Sequence, residues 1–236
     1  MGDACAAVAR NRAILESSLS ASATHAVKLQ FLEQVHGWQV QHLPCAQTLP
    51  QADASITDLP GYACTVMVAD CLPVLIAHRR WGVIGAAHAG WRGLVGHAGR
   101  GVLEALWDAY AHLVHQHEAH GHTALVADTQ VWLGPCIGAT AFEVGEDVYR
   151  AFTDNDAQAK HGFAPSASPG KWLADLAGLA RQRLKALGIT QVYGNDSSPS
   201  WCTFSNPSQF FSHRRDAGIY GTTGRMAAAI WRTGGS

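Results

Sequence analysis

The sequence predicts a single α+β domain that is built on mixed β-sheets. Short apolar segments typical of strands occur both in hairpin order and between helical segments, which a purely parallel βαβ array would not show. The chain has 236 residues, of which 47% are hydrophobic and 15% are charged, so it is long and apolar enough for one sizeable core. No internal repeat and no interdomain linker divides residues 1–236, which we therefore take as one domain.

The predicted elements follow from hydrophobic periodicity and from turn residues. Apolar positions at helical spacing predict helices at residues 6–19, 96–113, 143–152 and 173–187. Apolar runs bounded by glycine or polar residues predict strands at residues 27–40 (with a break at Gly37), 62–68, 72–77, 83–87, 123–133 and 189–193. A polar segment with serine, proline and glycine predicts a loop at residues 154–170.

The strands at residues 72–77 and 83–87 predict a β-hairpin with Cys71 and His88 at its open end. Between them lies a polar break that is closed by Gly82. A two-residue turn at Arg79 and Arg80 would place the thiol directly opposite the imidazole, and a four-residue loop would make them diagonal neighbours on one face. An odd loop length would place them on opposite faces, because side chains alternate along a strand.

Cys71 and His88 are candidate metal ligands. Cysteine and histidine bind zinc and copper, and a catalytic zinc commonly takes three protein ligands. The best placed third ligand is His36, which ends an apolar segment and precedes Gly37. The spacing of the three residues matches no compact zinc motif. On spacing alone, the alternative stays open that Cys71 is a small buried apolar residue and that both histidines are structural.

The charge balance excludes a polyanion as the main partner. The chain has 17 basic and 18 acidic residues and a formal net charge of −1, so it lacks an electrostatic footprint for nucleic acid or an anionic membrane. No stretch approaches the roughly 20 apolar residues of a membrane span, and no signal peptide is apparent. The 6 cysteines show no paired spacing. We expect a cytoplasmic protein with reduced thiols that acts on small molecules.

Several long sequence blocks occur in a fixed order over nearly the whole chain. They are residues 33–37 (EQVHG), 52–54 (ADA), 69–75 (ADCLPVL), 88–93 (HAGWRG), 134–138 (GPCIG), 142–145 (FEVG), 175–176 (DL), 202–203 (CT), 210–215 (FFSHRR) and 223–225 (TGR). In these blocks the chain resembles the YfiH-like family, which is also called the laccase-domain or polyphenol oxidase family. The resemblance implies a layered α/β/β/α arrangement of mixed sheets flanked by helices.

The resemblance also implies a metal site and an activity. It implies a Zn2+ or Cu2+ ion held by His36, Cys71 and His88. Members of the family have been described as purine nucleoside phosphorylases that split adenosine, inosine and methylthioadenosine with phosphate and also deaminate adenosine. An older name assigns them a laccase-like oxidation of phenols.

The chain departs from the family pattern at its start and at two aromatic positions. Family members begin with a glycine-rich segment, and we expect this chain to be a domain without that N-terminal family segment. His213 and Phe142 stand where the family usually has tyrosine. These two changes alter hydrogen bonding and remove no metal ligand.

Phosphorolysis requires cationic groups that hold phosphate near the ribose. Arginine suits this role because its planar fork binds two phosphate oxygens at once. Arg92 is the first candidate, and Arg214, Arg215 and Arg225 are further candidates; structural ion pairs are the alternative for each. Gln34 is a candidate contact to the base or to a metal-bound water, since its side chain shares the alternation of His36.

Three other classes of protein share single features with this sequence. A multicopper oxidase needs many histidines in His-x-His pairs, and only residues 115–117 and 120–122 have that spacing, in a segment without a strand pattern. A cysteine hydrolase would use Cys136 as nucleophile, but a thiol in a tight apolar turn is more often inert. A non-catalytic metal-binding protein remains an alternative. The sequence leaves open a monomer or a homodimer.

Overall fold

The computed structural model describes residues 4–117 and 121–233, which form mixed sheets and helices. The helices in this part of the chain are α1 Cys5–Ala21, α2 Trp91–Val95, α3 Val102–His117, α4 His122–Ala127, α5 Glu146–Thr153, α6 Leu176–Ala186 and α7 His213–Tyr220. The strands are β1 Lys28–Gln30, β2 Val40–His42, β3 Ala54–Thr57, β4 Tyr62–Val68, β5 Leu72–His78, β6 Ile84–Ala89, β7 Thr129–Leu133, β8 Glu143–Gly145, β9 Phe163–Pro165, β10 Lys171–Ala174, β11 Val192–Gly194 and β12 Met226–Ile230.

The main sheet has six strands in the order β11-β7-β5-β6-β3-β2. It is mixed, because β5 and β6 pair antiparallel while β2 and β3 pair parallel. A second sheet has the order β1-β4-β12, and a small third sheet has the order β8-β10-β9. The predicted mixed-sheet α+β fold is therefore confirmed.

The alternation of β5 shows how the layers stack. Leu72, Val74 and Ile76 point to one side of the main sheet and pack in the core that includes α3 and α6. Leu75 points to the other side and packs between the sheets against Val66 of β4. Burial of one such side chain stabilises the fold by about 1.5–3 kcal/mol.

The helix α1 covers the outer face of the second sheet. Its Leu19 is buried against Val27 and against Ala63 of β4 in a separate apolar cluster. Helices therefore flank both outer faces of two stacked sheets, as the α/β/β/α expectation requires. The helices in residues 4–117 and 121–233 are too short or too polar to span a bilayer.

Several predicted element boundaries were wrong. The predicted strand at residues 123–133 begins as α4, and only Thr129–Leu133 pairs in the sheet. The predicted helix at 96–113 starts late at Val102, because Gly96 has a φ of +64° and makes a tight turn after α2. Its absent side chain matters there, since a Cβ would lie 1.9 Å from the carbonyl oxygen of Arg100.

Other differences arise from strands that are shorter than their apolar segments. Residues 27–40 contribute only β1 and the first residue of β2. The predicted helices at 143–152 and 173–187 each begin with a strand, β8 and the end of β10, before α5 and α6 start. The predicted loop at 154–170 contains a 3-10 helix and β9. The strands β3 and β12 and the helix α7 were not predicted.

Of the two turns that would put Cys71 and His88 on one face, the hairpin has the four-residue loop. Leu72 pairs with Ala89, and Ala77 pairs with Ile84. This register makes Cys71 and His88 diagonal neighbours on the face that points toward the second sheet. The His-x-His pair at residues 115–117 ends α3 rather than lying on a strand. The pair at 120–122 begins outside the described residues.

Candidate metal centre

His36, Cys71 and His88 form a cluster at one end of the space between the two sheets. One potential ligand atom from each lies within 4.8 Å of the other two. Cys71 Sγ is 3.8 Å from His36 Nε2, and the two imidazole rings meet edge to face with centroids 4.8 Å apart. The structure thus brings together the three residues that the sequence singled out over a separation of 52 positions.

Each ligand comes from a different structural element. His88 lies in β6 and is buried, whereas Cys71 directly precedes β5 and is half-buried. His36 is exposed on the loop between β1 and β2, with a φ of +60°. A positive φ is uncommon for a residue with a side chain, so this conformation must be held by its surroundings.

The carboxylate of Asp53 holds both histidines in place. It is fully buried, and its Oδ1 accepts hydrogen bonds from His88 Nδ1 at 2.8 Å and from the backbone N–H of His36 at 3.0 Å. Its Oδ2 accepts the backbone N–H groups of Val35 at 3.1 Å and Gly37 at 2.7 Å. One carboxylate therefore fixes the ring of one ligand and the loop that carries another.

The hydrogen bond to Asp53 also sets the tautomer of His88. An ionised carboxylate can only accept, so the proton lies on Nδ1 and Nε2 is left for a ligand. A carboxylate behind a histidine in this manner is a recurrent second partner in zinc sites, where it orients the ring and strengthens the ligand. Sequence reasoning did not assign Asp53 to the site. Strand pairing could have found it, because Asp53 directly precedes β3 and faces His88 across β6.

The electrostatics of the cluster favour a bound cation. Burial would raise the pKa of the Cys71 thiol, but hydrogen bonds and charge from His36 and His88 lower it to about 6. Burial would likewise lower the pKa of His88, but Asp53 and Cys71 raise it to about 9. Despite its burial, the pKa of Asp53 is lowered by His88 and by the N–H of Gly37. Two anions, Asp53 and Cys71, thus flank one imidazolium ring, and a metal ion can take the place of the proton on its Nε2.

The donor set fits zinc or copper. Zinc binds thiolate sulfur at about 2.3 Å and imidazole nitrogen at about 2.0 Å, which puts neighbouring ligand atoms about 3.5 Å apart. The spacing of Cys71 and His36 is close to that value. Three ligands leave a fourth position, and the exposure of His36 opens it to solvent.

Gly90 is the residue that allows this close approach. A Cβ at Gly90 would lie 2.8 Å from His36 Cδ2 and 3.0 Å from Cys71 Sγ. Both distances are shorter than van der Waals contact, so two of the three ligands would have to move.

Gly90→Ala is therefore expected to weaken metal binding about tenfold or more, because the displaced ligand atoms can no longer all reach the same metal ion. Competition with a chromophoric chelator measures the affinity. Gly218→Ala is the matched control, because a Cβ there has no neighbour within 4 Å. Equal metal affinity in the two variants would contradict the role given to Gly90.

Arg92 and Arg225 are exposed at the surface. Arg92 lies in α2, four positions after His88, with its guanidinium carbon 4.4 Å from the centre of the Trp91 ring. This stacking leaves the N–H edge of the guanidinium group available to an anion. The phosphate role of Arg92 stays a prediction.

Arg215 and Arg214 are occupied by protein contacts. Arg215 donates to the backbone carbonyls of Thr203, Phe204 and Phe210 and pairs with Asp216. Arg214 donates from its side chain to the carbonyl of Glu143. These contacts give Arg215 in particular a structural role, and its substrate role stays a prediction.

Gln34 is similarly engaged. Its amide nitrogen donates to the carbonyl of Met67 at 2.8 Å, and its amide oxygen accepts the N–H of the same residue at 2.7 Å. The side chain thus acts like one more strand residue at the end of β4. The predicted contact to substrate would have to use the second N–H or the second lone pair of the Gln34 amide, which these two bonds leave unused.

Asp70 anchors the C-terminal segment beside the cluster. Its carboxylate accepts hydrogen bonds from the hydroxyls of Thr203 and Ser212 and from the backbone N–H of Arg214. The φ of Asp70 is +84°, so the chain turns sharply just before Cys71. These contacts give Asp70 a structural role beside the cluster.

Cys136 does not have the surroundings of a nucleophile. It is buried, and this burial raises the pKa of its thiol far above the usual range. Its sulfur lies 3.4 Å from the amide nitrogen of Asn195 rather than beside a base. The cysteine hydrolase interpretation therefore has no support here.

Known proteins are similar to this chain over most of its length. A family model described as multi-copper polyphenol oxidoreductase laccase matches residues 1–233. Purine nucleoside phosphorylase YfiH of Escherichia coli is 44% identical over 204 residues, which are 85% of this chain and 72% of the relative. Purine nucleoside phosphorylase of Haemophilus influenzae is 40% identical over 232 residues, which are 98% of this chain and 84% of the relative.

A solved structure shows the same fold. Neisseria meningitidis protein NMB0706 matches with a TM-score of 0.78 and 38% identity, over 99% of this chain and 84% of that one. Together with the family match over nearly the whole sequence, this likeness confirms the resemblance seen in the sequence blocks. The chain belongs to the YfiH-like family of laccase-domain proteins.

Proposed function

We propose that this protein is a metal-dependent purine nucleoside phosphorylase that splits adenosine, inosine and methylthioadenosine with phosphate and also deaminates adenosine. The cluster of His36, Cys71 and His88 carries the proposal. The names of the relatives from Escherichia coli and Haemophilus influenzae support the substrate class. The 6 cysteines are all free, which supports a reducing, cytoplasmic location.

The side chains of the protein would act by stabilising the charges of the reacting groups. Phosphorolysis places positive charge on the ribose as the glycosidic bond breaks, while anionic phosphate attacks the same carbon. Arg92 can hold phosphate oxygens with its planar fork, and the exposed edge of the cluster leaves room for the sugar. A zinc or copper ion, when bound, would supply Lewis acidity at this position.

The test is ribose 1-phosphate formation by purified protein from inosine and phosphate. We expect product above a Cys71→Ala control, and none when phosphate is omitted. Ammonia release from adenosine measures the deaminase activity separately. Equal product in wild type and Cys71→Ala would overturn the proposal.

Arg92→Ala is expected to lower kcat/KM for phosphate about 10- to 100-fold, as loss of charge-assisted hydrogen bonds worth about 1.5–3 kcal/mol would do. Adenosine deamination should change much less, because it uses no phosphate. Steady-state kinetics with varied phosphate measure the first effect. Arg150→Ala is the control, since it removes only an exposed pair with Glu146. Equal loss of both activities would assign Arg92 a structural role.

A second candidate is a laccase-like oxidation of phenols. The description of the matching family model favours it, and thiolate with imidazole is a donor set that copper also accepts. Oxygen uptake with a phenol and the copper-loaded protein tests this alternative. Metal binding with neither activity would leave the non-catalytic interpretation.

A further inference from the structure

A cavity of about 300 Å³ lies between the main sheet and β12. Its walls include Val68, Pro73, Leu75, Trp132, Phe210 and Met226. The cavity reaches the surface, because Gln209 and Ala227 at its edge are exposed. None of the residues described above as metal ligands or as phosphate candidates lines it.

The cavity and the metal ligands share one face of the main sheet. Cys71, Pro73 and Leu75 are alternate residues, so their side chains point to the same side of β5. Pro73 pairs with His88 across the hairpin, and Leu75 pairs with Trp132 of β7. At about 3.3 Å per strand residue, the wall at Pro73 is roughly 7 Å from Cys71.

The lining fits a flat, uncharged ring. Two aromatic side chains, a methionine and two prolines line the cavity, and none of its described lining residues carries a charge. Such walls stack on a heterocycle and exclude a phosphate or a carboxylate, because a buried unpaired charge is costly.

Gln209 supplies a polar group at the edge of this apolar space. Among the residues that the structure describes, no hydrogen bond occupies its side-chain amide. An amide offers one acceptor and two donors. By rotating its side-chain amide by about 180°, Gln209 can pair with a ring edge that carries either an amino or an oxo group.

We propose that this cavity holds the purine base of the nucleoside, with the ribose directed toward Cys71 and His88. This subsite rests on the proposed function, since it locates the base of that same substrate. The apolar walls provide affinity, and Gln209 accepts both 6-amino and 6-oxo purines.

Filling the cavity from β12 tests the subsite. Ala228 packs between the sheets, so Ala228→Leu extends a larger side chain into the cavity. Ala164 is the matched control, because it is an exposed alanine of the strand β9 and does not line the cavity. Metal content and the thermal unfolding midpoint are measured first, to establish that both variants are folded and loaded.

Binding of inosine is then measured by titration calorimetry without phosphate, so that phosphorolysis cannot occur. We expect Ala228→Leu to weaken inosine binding at least about tenfold and Ala164→Leu to change it less than about twofold. Unchanged affinity in Ala228→Leu, or no binding of inosine to loaded wild-type protein, would overturn the subsite.

Gln209→Ala provides a second variant that leaves the core intact. Loss of one or two hydrogen bonds should weaken inosine binding about three- to tenfold. Unchanged binding of inosine would remove Gln209 from the subsite.

The outcome for the subsite is separable from the outcome for the activity. Wild-type protein that binds inosine through this cavity but forms no ribose 1-phosphate would leave the subsite standing and refute phosphorolysis. If the wild-type protein forms ribose 1-phosphate but Ala228→Leu binds inosine normally, phosphorolysis stands and the subsite is refuted.

Discussion

Cys71→Ala is expected to remove the metal ion from the protein. We expect about one zinc or copper per wild-type chain, because three donor atoms converge within 4.8 Å. The thiol is the ligand that contributes negative charge, and its pKa of about 6 makes it a thiolate at neutral pH. Alanine leaves two imidazoles, one of them on an exposed loop. Elemental analysis after gel filtration measures the metal content per chain.

Cys45→Ala is the matched control for this loss. Cys45 is also half-buried and free, but its sulfur contacts the carbonyl of Gln47 and no histidine. It should keep the full metal content. His88→Ala should behave like Cys71→Ala, and its loss of metal would show that the effect does not come from the thiol alone. Equal metal in wild type and Cys71→Ala would contradict the assignment of the ligands.

The sequence predicted the part of the site that depends on local pattern. Strand alternation allowed two even loop lengths that put Cys71 and His88 on one face and an odd length that would not, and the structure has one of the even lengths. His36 was the best placed third ligand at the end of an apolar segment, and the resemblance implied the same residue, but its place in the cluster depends on contacts between residues far apart in the chain. Local periodicity contains no information about such contacts.

The sequence patterns did not predict β12 and α4 for a physical reason. β12 is Met-Ala-Ala-Ala-Ile, a composition with little strand preference, and it is held by pairing with β4. The segment of α4 is apolar and adjoins β7, so one apolar run contains two elements. In both segments, contacts with residues far apart in the chain determine the secondary structure. The same holds for Asp53, whose role appears only when β3 lies beside β6.

Asp53→Asn is expected to weaken metal binding about 10- to 100-fold without changing any ligand, which is the usual effect of removing a carboxylate partner from a ligating histidine. Asparagine has nearly the same shape, so packing is preserved. Its single oxygen can replace Oδ1 for His88 and for the N–H of His36. Its amide nitrogen then faces the N–H groups of Val35 and Gly37, which now meet a donor.

Two part-buried donors without an acceptor cost up to about 1–3 kcal/mol each, so the loop that carries His36 should loosen. Turning the amide over does not help, because the nitrogen would then face the protonated Nδ1 of His88. Either orientation therefore displaces one histidine ligand. The variant should bind metal weakly and also lower the unfolding temperature of the metal-free protein.

Asp175→Asn separates the two effects. Asp175 is also a carboxylate that accepts a backbone N–H, from Gly178, and a side-chain bond from Ser197, but it touches none of the three ligands. It should lower the unfolding temperature and leave the metal affinity of the folded protein unchanged. If Asp53→Asn likewise altered stability alone, the carboxylate would hold the fold rather than the metal ligands. A loss of affinity confined to Asp53→Asn would show that one buried carboxylate sets the geometry of both histidines.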